Sequence, residues 1–175
     1  MLFKILFFVL LAIDILAAIV FLPRNLKDRR LKKEKRHTYA IQNVGTNLCI
    51  RPYNADFSEG NKVIQYPLHN WECITWQFIK TGDDTFLLQN LYTHKSFAPQ
   101  KGTVSDSSLH QETLDGTSAQ LWDFLKEGNE YRIRLHGTQM YLSAKNAATN
   151  SDIVLKVKSD DANQKWRLIE QHPTV

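Results

Sequence analysis

Between Tyr39 and Glu170 the chain runs in short apolar stretches broken every ten to twelve residues by polar turns, among them Ser58-Glu59-Gly60-Asn61, Thr81-Gly82-Asp83-Asp84 and Glu127-Gly128-Asn129. The stretches are rich in Ile, Leu, Phe, Tyr and Trp, which suit a half-buried pleated surface, and the turns are built from Gly, Asn, Asp and Ser. No long helical period follows residue 38. About twelve short strands in an all-β barrel or sandwich are expected.

The strands recur in sets. Asp161-Ala162-Asn163-Gln164-Lys165-Trp166 carries a Gln-x-Trp signature, Gln120-Leu121-Trp122 carries it again with Phe124 two residues on, and Trp76 with Phe78 repeats its tryptophan half. The three tryptophans stand about 44 to 46 residues apart, the mark of an internal repeat. Ile41 to Ile50 lies over Leu88 to Phe97 and over Ile133 to Leu142 without a gap, each reading strand, short polar turn, strand. Ile64, Leu109 and Val154 are taken as equivalent mid-repeat positions. The units run over about 39–80, 84–127 and 130–170.

A period in the forties also fits propeller blades or paired helices. The strand pattern excludes helices, and a propeller needs about four blades to close. Three four-stranded units, each closed by a tryptophan, point to a β-trefoil.

These features resemble the ricin B-type β-trefoil lectins over about residues 39–170. Asp161 to Trp166 matches the family signature closely, and Asn61 to Pro67 is similar to its middle strand with a stacking aromatic. The resemblance implies non-catalytic binding of a glycan or glycoprotein in shallow pockets, one per unit, with no cofactor. Such a pocket takes an Asp on the second strand, a ring on the third and an Asn beside the Gln-x-Trp: carboxylate and amide fork onto sugar hydroxyls while the ring covers the apolar face of the sugar. Here the Asp position holds Arg51, Ala98 and Ser143, the ring position Tyr66, Gln111 and Lys156, and the Asn position Cys73, Ala119 and Asn163. No unit keeps all three. The candidate ligand contacts are Arg51, Tyr66 and His69 in the first unit, where a guanidinium suits an acidic sugar such as a sialic acid, and Asn163 with Gln164 in the third. Gln120 and Gln164 are also expected to hydrogen-bond within the barrel, and the three tryptophans to lie in the core. A weaker resemblance, to the cell-binding subunits of cytolethal distending toxins, implies a targeting role beside other protein subunits. The alternative is a trefoil that has lost sugar binding and docks a protein.

Ahead of the repeats, Leu2 to Leu22 is almost wholly apolar, interrupted by Lys4 and Asp14, and long enough to span a bilayer as a helix. Asp14 costs roughly 3 kcal/mol on the insertion scale, against roughly 0.3 to 0.6 kcal/mol returned by each of the many Leu, Ile, Phe and Val residues. A transmembrane helix or signal anchor over 1–23 is expected, with a cleaved signal peptide as the alternative. Pro23 ends it, and 24–38 forms a basic juxtamembrane linker. Residues 1–38 hold nine Lys and Arg and three acids, so of the chain's +4 they carry +6 and the repeats carry −2. The basic run suits anionic headgroups, and the acidic domain is no candidate for nucleic acid. The positive-inside rule places the trailing domain in the cytosol, whereas glycan binding is more useful outside, so the side of the membrane stays open.

Enzymatic motifs are missing. The six histidines are scattered, no His-Glu-x-x-His, Gly-x-Ser-x-Gly or phosphate-cradling loop occurs, and Asp83-Asp84 and Asp160-Asp161 fall in turns. No catalysis and no metal are expected. Cys49 and Cys73, both in the first unit, are either a disulfide or two buried thiols.

Overall fold

Twelve strands carry the alternation through. In the computed structural model, which describes residues 37–173, they are β1 Thr38–Asn43, β2 Cys49–Pro52, β3 Val63–Tyr66, β4 Thr75–Lys80, β5 Thr85–Asn90, β6 Ser96–Pro99, β7 Leu109–Glu112, β8 Leu121–Glu127, β9 Glu130–Leu135, β10 Met140–Ala144, β11 Ile153–Val157 and β12 Trp166–Glu170. The apolar span 2–22 and the basic run 24–36 lie outside the described residues. No helix among the described residues is long and apolar enough to cross a membrane.

Six strands close a barrel in the order β1, β4, β5, β8, β9, β12, with β12 returning to β1. The other six pair as hairpins, β2 with β3, β6 with β7 and β10 with β11. The hairpins cap the end of the barrel that β1, β5 and β9 run toward. They meet in a cyclic pattern: Lys62 bridges His110, Ser108 bridges Val154, and Asp152 bridges Ile64. Backbone hydrogen bonds repeat the cycle, with Gln111 on Asn61, Leu155 on Ser107 and Gln65 on Ser151. This is a β-trefoil, each unit touching both others.

The core is three-fold as well. Ile41, Leu88 and Ile133 from the first strands, Ile50, Phe97 and Leu142 from the second, Val63, Leu109 and Ile153 from the third and Trp76, Trp122 and Trp166 from the fourth share one buried cluster. Each indole is fully buried, worth roughly 5 kcal/mol by area as an upper bound. The indole Nε1 of Trp76 donates to Ile50 O at 2.9 Å and that of Trp166 to Leu142 O at 3.2 Å. Trp122 Nε1, at the matching place, has no hydrogen-bond partner among the described residues.

The register corrects the expected equivalences. Cys49 faces Tyr66, Ser96 faces Glu112, and Tyr141 faces Lys156. Val63, Leu109 and Ile153 are therefore the matched set, in place of Ile64, Leu109 and Val154, and the second unit's ring position holds Glu112 rather than Gln111. The cause is chain length between the hairpin strands: the connections 53–62, 100–108 and 145–152 shorten by one residue from each unit to the next.

Candidate functional site

Strand pairing assembles the first unit's site. Cys49 and Arg51 share one face of β2, and Tyr66 lies opposite Cys49 and diagonal to Arg51, within reach of long side chains across an antiparallel pair. The Arg51 guanidinium carbon rests 4.2 Å from the centroid of the Tyr66 ring. The chain then leaves β3 through Pro67 and returns with His69 and Trp71, whose rings stack at 4.1 Å and 11°. Tyr66 lies 6.2 Å from His69 and 6.4 Å from Trp71. A single 3-10 turn, Glu72–Ile74, drops the chain into β4.

Arg51, Tyr66 and His69 are thus brought together around the Tyr66 ring. Arg51 is only 7% exposed, and its Nε donates to Pro52 O at 3.1 Å. Its two terminal nitrogens take no hydrogen bond among the described residues and are not sealed from solvent. No carboxylate pairs with it there, although a charge this enclosed is costly to leave without a counter-ion. Trp71, 46% exposed, is the member that sequence reasoning missed. The signal existed: it is the one tryptophan outside the 44-to-46-residue series.

Beneath the site, Ala40, Cys49, Cys73 and Ile74 form a small buried cluster against which Tyr66 packs. Both cysteines are free thiols, so the disulfide alternative is not realised. Burial pushes the Cys49 thiol up to about 12. Burial also raises Cys73, partly opposed by the charge of Arg51.

Asn163 and Gln164 lie elsewhere. Gln164 is buried in the turn Ala162–Gln164, its amide donating to Val157 O at 2.8 Å and its carbonyl accepting from Ser159 N at 2.9 Å. Its carbonyl also accepts from Arg132 Nη1 at 3.4 Å, so the side chain makes the hydrogen bonds within the barrel that the sequence leads one to expect. Gln120 does the same work, donating to Thr113 O at 2.7 Å and accepting from Asp115 N and Gly116 N. Asn163 is half-buried at the seam of the third and first units. Its backbone carbonyl accepts from Asn43 Nδ2 at 2.8 Å, and a Cβ at Gly45 would come within 2.4 Å of its Oδ1. The ring position itself holds Lys156 in the third unit, paired with Asp106 at 2.6 Å, and Glu112 in the second, paired with His110 at 3.1 Å. Among the described residues no cluster of three His, Cys, Asp or Glu side chains is placed to hold a metal.

Barrel and hairpin cap define a β-trefoil. The ricin-type beta-trefoil lectin domain model matches residues 37–166, and the chain belongs to that family. The fold is similar to a designed three-fold symmetric protein, ThreeFoil, at 21% identity and a TM-score of 0.72, covering 75% of this chain and 97% of that one. The Rhizoctonia solani agglutinin is similar at 20% identity and a TM-score of 0.70, over 77% of this chain and 95% of the other. The Macrolepiota procera ricin B-like lectin, solved with lactose, is similar at 18% identity and a TM-score of 0.68, over 77% and 95%. No curated protein matches in sequence.

Proposed function

We propose that the domain is a non-catalytic, carbohydrate-binding module that takes a glycan at its first unit, and that the sugar carries an acidic group. The observation that carries this is the grouping of Arg51, Tyr66, His69 and Trp71 at one pocket position, while the residues equivalent to Tyr66 are Glu112 and Lys156. Family membership supports sugar as the ligand class, as does a similar fold solved with lactose. Tyr66 and the His69–Trp71 stack supply flat faces for the apolar side of a pyranose. Arg51 supplies a planar fork for a carboxylate or sulfate. In the wider role proposed here, residues 2–22 tether the domain to a membrane, where it acts as a targeting or receptor-binding part.

The test is a glycan array probed with residues 31–175 and with the Tyr66→Ala variant. Selective capture of sialylated or sulfated glycans, lost in the variant, upholds the reading; capture of neutral glycans alone removes the acidic part. A second reading, docking of a protein, is favoured by one observation: Phe57 and Tyr92 from adjacent units are 53% and 42% exposed with centroids 4.8 Å apart. Silence of a folded sample across the array turns the assignment to that surface. For the tether, carbonate washing should leave the full-length chain in the membrane fraction at full mass, and a product starting near Ala18 overturns it.

A further inference from the structure

Among the described residues nothing covers the end of the barrel away from the hairpins. Its mouth is a ring with one residue from each of the six barrel strands: Tyr39, Phe78, Phe86, Phe124, Tyr131 and Leu168. Tyr39, Phe86 and Tyr131 are three-fold equivalents on the first strands, and Phe78, Phe124 and Leu168 on the fourth. The five aromatic rings form a chain of edge-on and tilted contacts, 5.2 Å from Tyr39 to Phe78, 4.8 Å from Phe78 to Phe124 and 6.1 Å from Phe124 to Tyr131. Leu168 breaks the symmetry. On β12, between the strands carrying Tyr39 and Tyr131, it puts a short side chain where the other units have phenylalanine. The mouth encloses about 390 Å³, within the range of small-ligand pockets.

The rim carries spare positive charge. Lys80 and Lys126 stand two residues beyond Phe78 and Phe124 and make no ion pair among the described residues. The acids of this end are largely engaged elsewhere: Glu127 with Arg132, Glu130 with Arg167, and Glu170 with His172. Asp84 and His37 complete the rim, while Asp83 beside Asp84 in the same turn does not line it, so the lining itself holds two lysines against one aspartate.

We propose that this mouth is a second ligand site, separate from the glycan pocket, for a small amphiphilic anion: an aromatic or branched apolar body seated in the ring, with an anionic head toward Lys80 and Lys126. Apolar area in the ring provides affinity, and the lysines select the head.

The test uses residues 31–175, whose six barrel strands close on one another and whose extent matches similar solved chains over nearly their whole length. Two fluorescent probes are titrated, 8-anilinonaphthalene-1-sulfonate and the uncharged N-phenyl-1-naphthylamine. Each is expected to saturate one site. Leu168→Phe, which gives the third unit the ring the others have, should weaken both at least tenfold. The double variant Lys80→Met/Lys126→Met, at exposed positions that do not endanger folding, should weaken the sulfonate about tenfold and leave the neutral probe unchanged. Absence of saturable binding overturns the proposal. So does probe binding indifferent to Leu168→Phe in a folded sample, or equal loss of both probes in the lysine variant.

Discussion

Arg51 lies over Tyr66 with its guanidinium carbon 4.2 Å from the ring centroid and, among the described residues, no carboxylate to balance it. Cation and ring hold each other, and together they set the chemistry of the first unit's surface. The exposed His69–Trp71 stack beside them completes it.

Trp71→Ala should remove most glycan affinity, about ten- to a hundredfold, since an aromatic platform at a binding site is worth roughly 1–3 kcal/mol. Trp71 is 46% exposed, so the thermal midpoint should hardly move. Calorimetric titration with a glycan found on the array, alongside a thermal melt, checks both. A large drop in midpoint would make Trp71 a structural residue.

Gln164→Leu should leave glycan binding intact and destabilise the fold. It strips Val157 O, Ser159 N and Arg132 Nη1 of a partner, and because Val157 and Ser159 are exposed each lost bond is worth only about 0.5–1.5 kcal/mol. Urea denaturation should show a loss of about 1–3 kcal/mol from the unmade bonds. Retained stability with lost glycan binding would return Gln164 to the ligand site.

Asp123 gives the fold an acid limit. Burial alone would raise its pKa, but hydrogen bonds from Thr85, His136 and Arg134 outweigh burial and hold it below the ordinary carboxylate range. A depressed folded-state pKa contributes stability that is fully present above the unfolded value, near 3.9, and is lost as pH falls through the folded value. Melts of the native domain should therefore decline below about pH 4. Asp123→Asn should be less stable at neutral pH, and its further decline over that acid window should be shallower. An identical acid slope in both proteins would contradict this.

Neither thiol should react in the folded domain. Burial pushes Cys49 up to about 12 and also raises Cys73, so hardly any thiolate exists at pH 8. An aromatic disulfide reagent should label none in buffer and both in guanidinium. Rapid native labelling, or a mass two daltons low, would show that the cluster beneath Tyr66 is open or oxidised.

The three-fold plan was legible because the tryptophans that fill the core must recur wherever the barrel repeats, and the glutamine two residues before Trp122 and Trp166 is needed to tie each approach loop. Register was not legible in the middle of the units. A constant offset cannot see connections that shorten by single residues, and burial does not expose the error: Ile64 and Val154 are as hidden as Val63 and Ile153, because the hairpin cap covers them too. Arg51, Tyr66 and His69 could be brought together on paper since Arg51 and Tyr66 sit on paired strands and His69 follows closely. Trp71 escaped because its ring is aimed by the loop from Pro67, whose path no periodicity encodes. For Gln164 the sequence allows both a ligand contact and a hydrogen bond within the barrel, and the structure shows the second, to Val157, Ser159 and Arg132.

The pairing of β1 with β12, with Tyr39 opposite Glu170 and Thr38 bonded to Gln171, has a topological consequence. Residues 38–171 form a ring in all but one covalent link, so where that stretch is cut is arbitrary to the barrel. Joining Gln171 to Thr38 and opening the polypeptide in the exposed turn between β4 and β5 would leave every strand its neighbours. The second and third units would then lead the chain and the first, with its pocket, would end it.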